Sequence, residues 1–573
     1  MNAVVVTIIH LLVFLGVGLL GSVYLIKKKL LPVHFAVIGA YAISLLFDYA
    51  LFFVYAKSPG IGTIVTGLFY LFGLLSAFLL VYWSAKNRSV KTIITTNVLL
   101  PLALILTVCG FYTVITFGCR IPNGLPLNIY QGCILENTPG DNILPQFFGD
   151  KLIQNRDRDL AVDWHLADRP PLQIGGVVSL LDIIPNDALK LASYQVFSTF
   201  LQLAWIAGLW AFLKFLKIES SQEKFILFTS VFLGFYYYNS VYVWPKLLAA
   251  GLALAGLSLL LFYKQADKKD VLPRWIAASC LLVLSLLSHG STLFIIISLG
   301  LYLLITRRLP SVRVILIAAC CALALYSPWI LYKSRTTTSD RLVKWHFAGV
   351  IQPDERSTVK TIIDSYQAAS ISQIMHAKVE NFKTLVYYTP YEITPHEVSD
   401  APHANMDSAN SHKALLSNVR RQEFYATLPA LGVINLGWIV MVMLFKKNRK
   451  AFDVISQPLA LGLLATLVWC MLMFIPGSTV IHQNSYTTMM LIITAPLIAI
   501  SFLNNWGRWL IAGAQVILFC SVWGMQVYSR NSRSPWLSLS IGLIGVMSLL
   551  FVLYFREIST FVRVKASDRI RPL

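Results

Sequence analysis

Residues 138–154 read TPGDNILPQFFGDKLIQ, and residues 162–176 read VDWHLADRPPLQIGG. Acids, amides, an arginine and two adjacent prolines sit here between long apolar runs. Pro139-Gly140 breaks the chain, and Asp141 follows. Ile143, Leu144, Phe147, Phe148 and Leu152 then recur at helical spacing, which predicts a short amphipathic helix headed by Asp141. Pro170 and Pro171 fix the backbone near the next apolar run. They push Arg169 toward an extended conformation, so its guanidinium is held in place before anything binds it.

The rest of the chain sets this stretch in a membrane. Of 573 residues, 57% are hydrophobic and only 13% are charged; the mean hydropathy is +0.67. A soluble domain carries roughly 25% charged residues. About fifteen apolar runs are long enough to be considered as spanning helices. Their cores are 4–26, 33–55, 61–83, 93–118, 191–213, 225–243, 247–263, 275–289, 291–306, 312–331, 427–445, 457–475, 485–503, 508–527 and 536–555. Main-chain groups in lipid must be satisfied within a segment, so helices are expected. The alternating pattern of a barrel is absent from the sequence. The fold class is therefore an all-α polytopic membrane protein.

The formal charge of +20 fits that reading without nucleic acid. Lysines and arginines collect in alternate short connections, beginning with Lys27, Lys28 and Lys29 after the first run. Short cytoplasmic loops are enriched in this way. With the N-terminus outside and the first run retained, two long polar segments fall on the outer face, about 119–190 and about 332–426. The sequon Asn87-Arg88-Ser89 falls on the opposite side. These features point to a bacterial inner membrane with the working face outward.

Eight cysteines are present, and Cys119 and Cys133 both fall in the first outer loop. A disulfide between them is expected if that face is oxidising, contributing about 3 kcal/mol in the chain-entropy model. Two cysteines do not supply four ligands, so no structural metal is expected there. In the second loop the run from Thr394 to His412 holds His396, Glu397, Asp400, His403 and Asp407. A metal, an acceptor-binding segment around His396 and a lid over the site are all open. Asp48 lies inside a span. It is either a functional carboxylate or an acid hydrogen-bonded to Tyr41 or Tyr49.

For Asp141 two readings stand: a helix cap, or a general base at the membrane boundary. For Arg169 they are a lipid anchor or a phosphate ligand. The order of a span, an acid heading a loop helix, a polar run, a basic residue with Pro-Pro-Leu and another span resembles the GT-C superfamily of polytopic glycosyltransferases. It is most similar to the branch with protein O-mannosyltransferases and the aminoarabinose transferase of lipid A. Such relatives carry an acidic pair in the first outer loop. Here the pair is Asp141-Asn142, and Asp150 is the nearest replacement for the missing acid. Lys246 stands where relatives often place an acid, and Ser288-His289-Gly290-Ser291-Thr292 resembles a Thr-Lys-Gly segment with His289 for the lysine.

The resemblance covers roughly 93–331, with 1–92 as added helices, 332–426 as a second outer loop and 427–573 as C-terminal helices. It implies a GT-C-like bundle that moves a sugar from a polyprenyl-phosphate donor to an acceptor hydroxyl. Asp141 and Asp150 would be catalytic, and Arg169, Lys246 and His289 would hold the donor phosphate. Asn142, Asp168 and His396 would contact substrate. No cofactor is implied, and a divalent metal is not favoured. Rival readings are a glycan ligase or polymerase that uses a lipid-linked oligosaccharide, a lipid-linked-sugar transporter, and a non-catalytic scaffold.

Overall fold

The structure is a computed structural model. It describes residues 3–117, 140–155, 160–161, 164–184, 186–261, 270–335, 340–350, 355–387, 411–474, 484–524, 540–555 and 557. Cys119, Cys133 and His396 lie outside them.

Among the described residues ten helices are long and apolar enough to cross a membrane, and the chain is an all-α multi-pass membrane protein. The first are α1 (Ala3–Lys27), α2 (Ala36–Lys57), α3 (Pro59–Lys86) and α4 (Arg88–Phe117). The first loop folds into a 3-10 turn, Gly140–Ile143, then α5 (Leu144–Ile153) and α6 (Pro171–Leu181). Between the last two lies a two-residue antiparallel ladder pairing Leu160 with His165. Next come α7 (Asp187–Gln202), α8 (Ala204–Phe215), α9 (Ser220–Val231), α10 (Gly234–Val241), α11 (Lys246–Leu261), α12 (Val271–Ser288), α13 (Thr292–Ile305) and α14 (Val312–Arg335). The second loop holds α15 (Arg341–Ala348), α16 (Thr358–Ala368), α17 (Ile371–Val386) and α18 (Ser411–Phe424). The chain closes with α19 (Leu436–Lys447), α20 (Arg449–Leu472), α21 (Tyr486–Ser501), α22 (Asn505–Phe519) and α23 (Ser540–Phe555).

Five of the fifteen expected spans differ. The runs 291–306, 485–503 and 536–555 form α13, α21 and α23, each too short to cross by itself as a straight helix. The runs 225–243 and 247–263 are not two simple spans. The first divides into α9 and α10, and α10 meets α11 at a bend of 119°.

That bend is the central feature of the bundle. Val243 sits in it with φ +56°, a conformation that costs a β-branched residue strain. A break inside an apolar bundle also frees main-chain groups, which survive only if neighbours bind them. Three glutamines do so. Gln173 Nε2 of α6 donates to the Val243 carbonyl at 2.8 Å. Gln195 Nε2 of α7 donates to the Val241 carbonyl at 2.8 Å. Gln202 Oε1, also on α7, accepts from the Leu248 N–H at 3.1 Å. All three glutamines are buried.

Close backbone packing holds these pieces against the bundle. α8 crosses α11 at Gly208 and Gly251, where a Cβ on either would strike main-chain atoms at 2.3–2.4 Å. α6 lies on α2 through Gly175 and Gly176, where added methyl groups would meet Asp48 atoms at 2.0 and 2.8 Å. The second helix therefore packs onto the loop helix that follows Arg169, and Tyr70 of α3 donates to the Ser179 carbonyl of the same helix at 3.4 Å. Asp48 is fully buried, but neither tyrosine binds its carboxylate as expected. Tyr41 donates to the Phe200 carbonyl at 2.9 Å, and the Tyr49 oxygen accepts from the Trp329 N–H at 3.1 Å.

Replacing Gln173 or Gln195 by leucine strands a buried carbonyl at the break. Each variant is expected to lose about 1–3 kcal/mol. Thermal unfolding in lipid nanodiscs checks this, and two unchanged midpoints would show that the bend is held by something else.

Candidate functional site

A cavity of about 660 Å³ opens beside the bend. Its walls come from the 3-10 turn, α5, α6, the α10–α11 bend, the α12–α13 turn, the end of α14, and α15. Asp141, Asp168, Arg169, Lys246 and His289 all line it.

Asp141 and Arg169 meet directly, with Nη2 3.2 Å from Oδ1. The first helical turn of α5 leaves Asp141 outside the helix proper, and Ile143 is the N-cap residue. Asp141 thus faces the guanidinium rather than capping. Arg169 has φ −112° and ψ 121°, the extended form that a following proline imposes. Pro170 and Pro171 then start α6. The guanidinium lies over the Trp244 ring, 4.8 Å from its centre.

Trp244 is itself fixed by His289. Its indole Nε1–H donates to His289 Nε2 at 3.0 Å. An indole only donates, so Nε2 is an acceptor, and on the other side Nδ1 lies 2.8 Å from Ser291 Oγ and accepts from the Ser291 N–H at 3.2 Å. Burial, with Lys246 and Arg169 nearby, pushes the His289 pKa well below its usual value. The sequence suggested a positive cluster of three. The structure keeps His289 neutral, which leaves Arg169 and Lys246. Lys246 is buried at the first turn of α11, its Nζ 4.9 Å from the centre of the Tyr486 ring. The N-terminal ends of α6 and α11 both line this corner, where the positive ends of their helix dipoles lie.

Two expected residues are elsewhere. Asp150 does not line the cavity. It pairs with Lys190 of α7 at 3.4 Å and braces α5. On α5 it stands about 120–140° around the helix from Leu144 and Pro145, which do line the cavity. Asn142 is fully buried behind the turn and also leaves the cavity wall; its carbonyl accepts from the Tyr194 hydroxyl. The second acid in the cavity is Asp168, whose Oδ2 accepts from the His165 N–H at 3.3 Å. Burial raises its pKa above the usual carboxylate value.

No local pattern in the chain marks the opposite wall. Tyr326, Trp329 and Lys333 of α14, then Asp340, Trp345 and His346 at and in α15, and Met473 line it there. Only the histidine carried a signal, as one of several in the second loop. Gln173 was legible in hindsight, since an amide within an apolar helix needs a buried partner. Among the described residues no three His, Cys, Asp or Glu side chains group as a metal site. No protein-family model, curated protein or solved structure matches this chain.

Burial, with Lys246 nearby, lowers the His346 pKa from 6.5 to about 4. The folded value lies below the unfolded one, so the unfolded chain takes up the proton first. His346 therefore contributes full stability above about pH 6.5 and loses it as pH falls toward about 4. The unfolding midpoint of His346→Gln is expected to depend less steeply on pH across that window than that of the parent. Equal slopes would place the histidine in water.

Proposed function

We propose that the chain is a membrane glycosyltransferase that moves a sugar from a polyprenyl-phosphate donor to an acceptor hydroxyl at the cavity. The observation that carries this reading is the direct pairing of Asp141 with Arg169 on the wall of the cavity. A carboxylate and a fixed guanidinium are the two groups such a transfer needs. The Pro-Pro-Leu segment that fixes Arg169 also carries the resemblance to the GT-C superfamily.

The donor phosphate takes the corner formed by Arg169, Lys246 and the two helix ends. It competes with Asp141 for the guanidinium and so frees the carboxylate. The acceptor O–H then attacks the anomeric carbon. Its proton passes to Asp141, a new C–O bond forms, and the bond from the anomeric carbon to the phosphate oxygen breaks. The electron pair leaves with polyprenyl phosphate, whose growing charge Arg169 and Lys246 offset. Attack opposite the leaving group inverts the anomeric centre. Asp168 serves the acceptor side, and Trp244, held by His289, sets the guanidinium angle. Asp141 and Asp168 divide the part first assigned to Asp141 and Asp150. The cell membrane and its non-cytoplasmic face complete the proposal.

A transporter of lipid-linked sugars is the second reading. The 119° break next to Lys246 favours it, since discontinuous helices mark transporter binding sites. Purified chain in proteoliposomes, given polyprenyl-phosphate sugars and sugar or lipid acceptors, separates the two. Transfer is expected, with inversion. Asp141→Asn should lower it at least about 100-fold while eluting and unfolding like the parent. Full transfer by that variant rejects Asp141 as the base, and donor movement across the bilayer without transfer favours the transporter.

A further inference from the structure

The second loop carries an apolar face that the cavity does not use. On α17 the side chains of Ile371, Met375, Val379, Phe382 and Val386 are between 49% and 81% exposed. At about 100° per residue they fall within an arc of roughly 80°. The far side of the same helix is buried through Ala377, Asn381, Thr384 and Leu385. The helix thus has two apolar or packed sides, and only one of them is covered by protein. His376 and Lys383 border the open stripe.

The anchor of α17 fixes where that stripe lies. Lys378 Nζ donates to the Met473 carbonyl at 2.6 Å, and Asn381 Nδ2 donates to the same oxygen at 2.9 Å. Met473 is the residue just past α20. α20 is one of the ten candidate spans, and Leu463, Leu467 and Met471 in its last turns are each more than half exposed. Those three residues form a lipid-facing edge that climbs to the point where α17 is attached. Helix α17 is thus attached where that edge ends.

We propose that α17 is an interfacial helix whose Ile371–Val386 stripe inserts into the glycerol and upper acyl region of the phospholipid leaflet. Lys383, paired with Glu380, and His376 beside the same carboxylate form its polar border at headgroup level. The proposal is independent of sugar transfer. It has one consequence for the cavity, since Met473 lines it and the next residue, Phe474, donates its N–H to the His346 carbonyl at 2.9 Å. Insertion of α17 therefore holds two cavity walls in place.

The test uses the full chain in nanodiscs of phospholipid bearing a photoactivatable diazirine at the upper acyl positions. Peptide mapping after irradiation is expected to find adducts on the Met375–Phe382 segment at yields near those on Leu463–Met471. In the Met375→Glu/Phe382→Glu variant the α17 adducts should fall roughly tenfold while the α20 adducts persist, which also reports that the fold survives. Met375→Leu/Phe382→Leu should keep the adducts. Labelled α20 with unlabelled α17 in the parent overturns the proposal.

Discussion

The rest of the structure depends on the satisfaction of the main chain at the α10–α11 break. A bend of 119° in an apolar bundle is stable only if its loose carbonyl and N–H groups are bound. Gln173, Gln195 and Gln202 bind them, and each comes from a helix that also builds the cavity or backs it. The break then presents Trp244, Pro245 and Lys246 to the cavity instead of burying them in a continuous helix. Gln173 is two residues past the twin prolines. The same short helix that orients Arg169 therefore also stitches the break, so guanidinium and lysine are placed by one structural unit.

In the same way, neutral side chains of the cavity hold its charged ones in place. His289 accepts from Trp244, Trp244 lies beneath Arg169, and Arg169 meets Asp141. Each contact fixes the next side chain. Cations placed this way need little rearrangement when charge grows on a ligand, the condition under which electrostatic stabilisation is largest. A neutral histidine serves such a chain better than a charged one, because it adds an acceptor without a third positive charge to desolvate.

Much of the outer architecture was legible in the sequence, and much of the inner architecture was not. All ten helices that pass as spans matched apolar runs, because a helix that faces lipid must stay apolar through the whole thickness. α14 shows this: only 11% of its best window is buried. The buried pieces follow other rules. α6, α10 and α21 are short or bent, since protein neighbours can bind their ends, and a hydropathy pattern reads them as whole spans or as loop. The pair Asp141 and Arg169 was legible because prolines and a loop helix mark both positions locally. Asp150 misled because closeness along the chain said nothing of helix face, and the α14–α15 wall was invisible because it comes from a distant segment.

Arg169 and Lys246 as the seat of a donor phosphate is the centre of this account. A cryo-EM structure of the full chain in nanodiscs with a non-hydrolysable polyprenyl-phosphate sugar analogue tests it most directly. The account predicts phosphate density within hydrogen-bond reach of both residues, with the Asp141 carboxylate released from Arg169 and turned to the sugar. Density for the phosphate at another part of the bundle, with the Asp141–Arg169 pair intact, would contradict it.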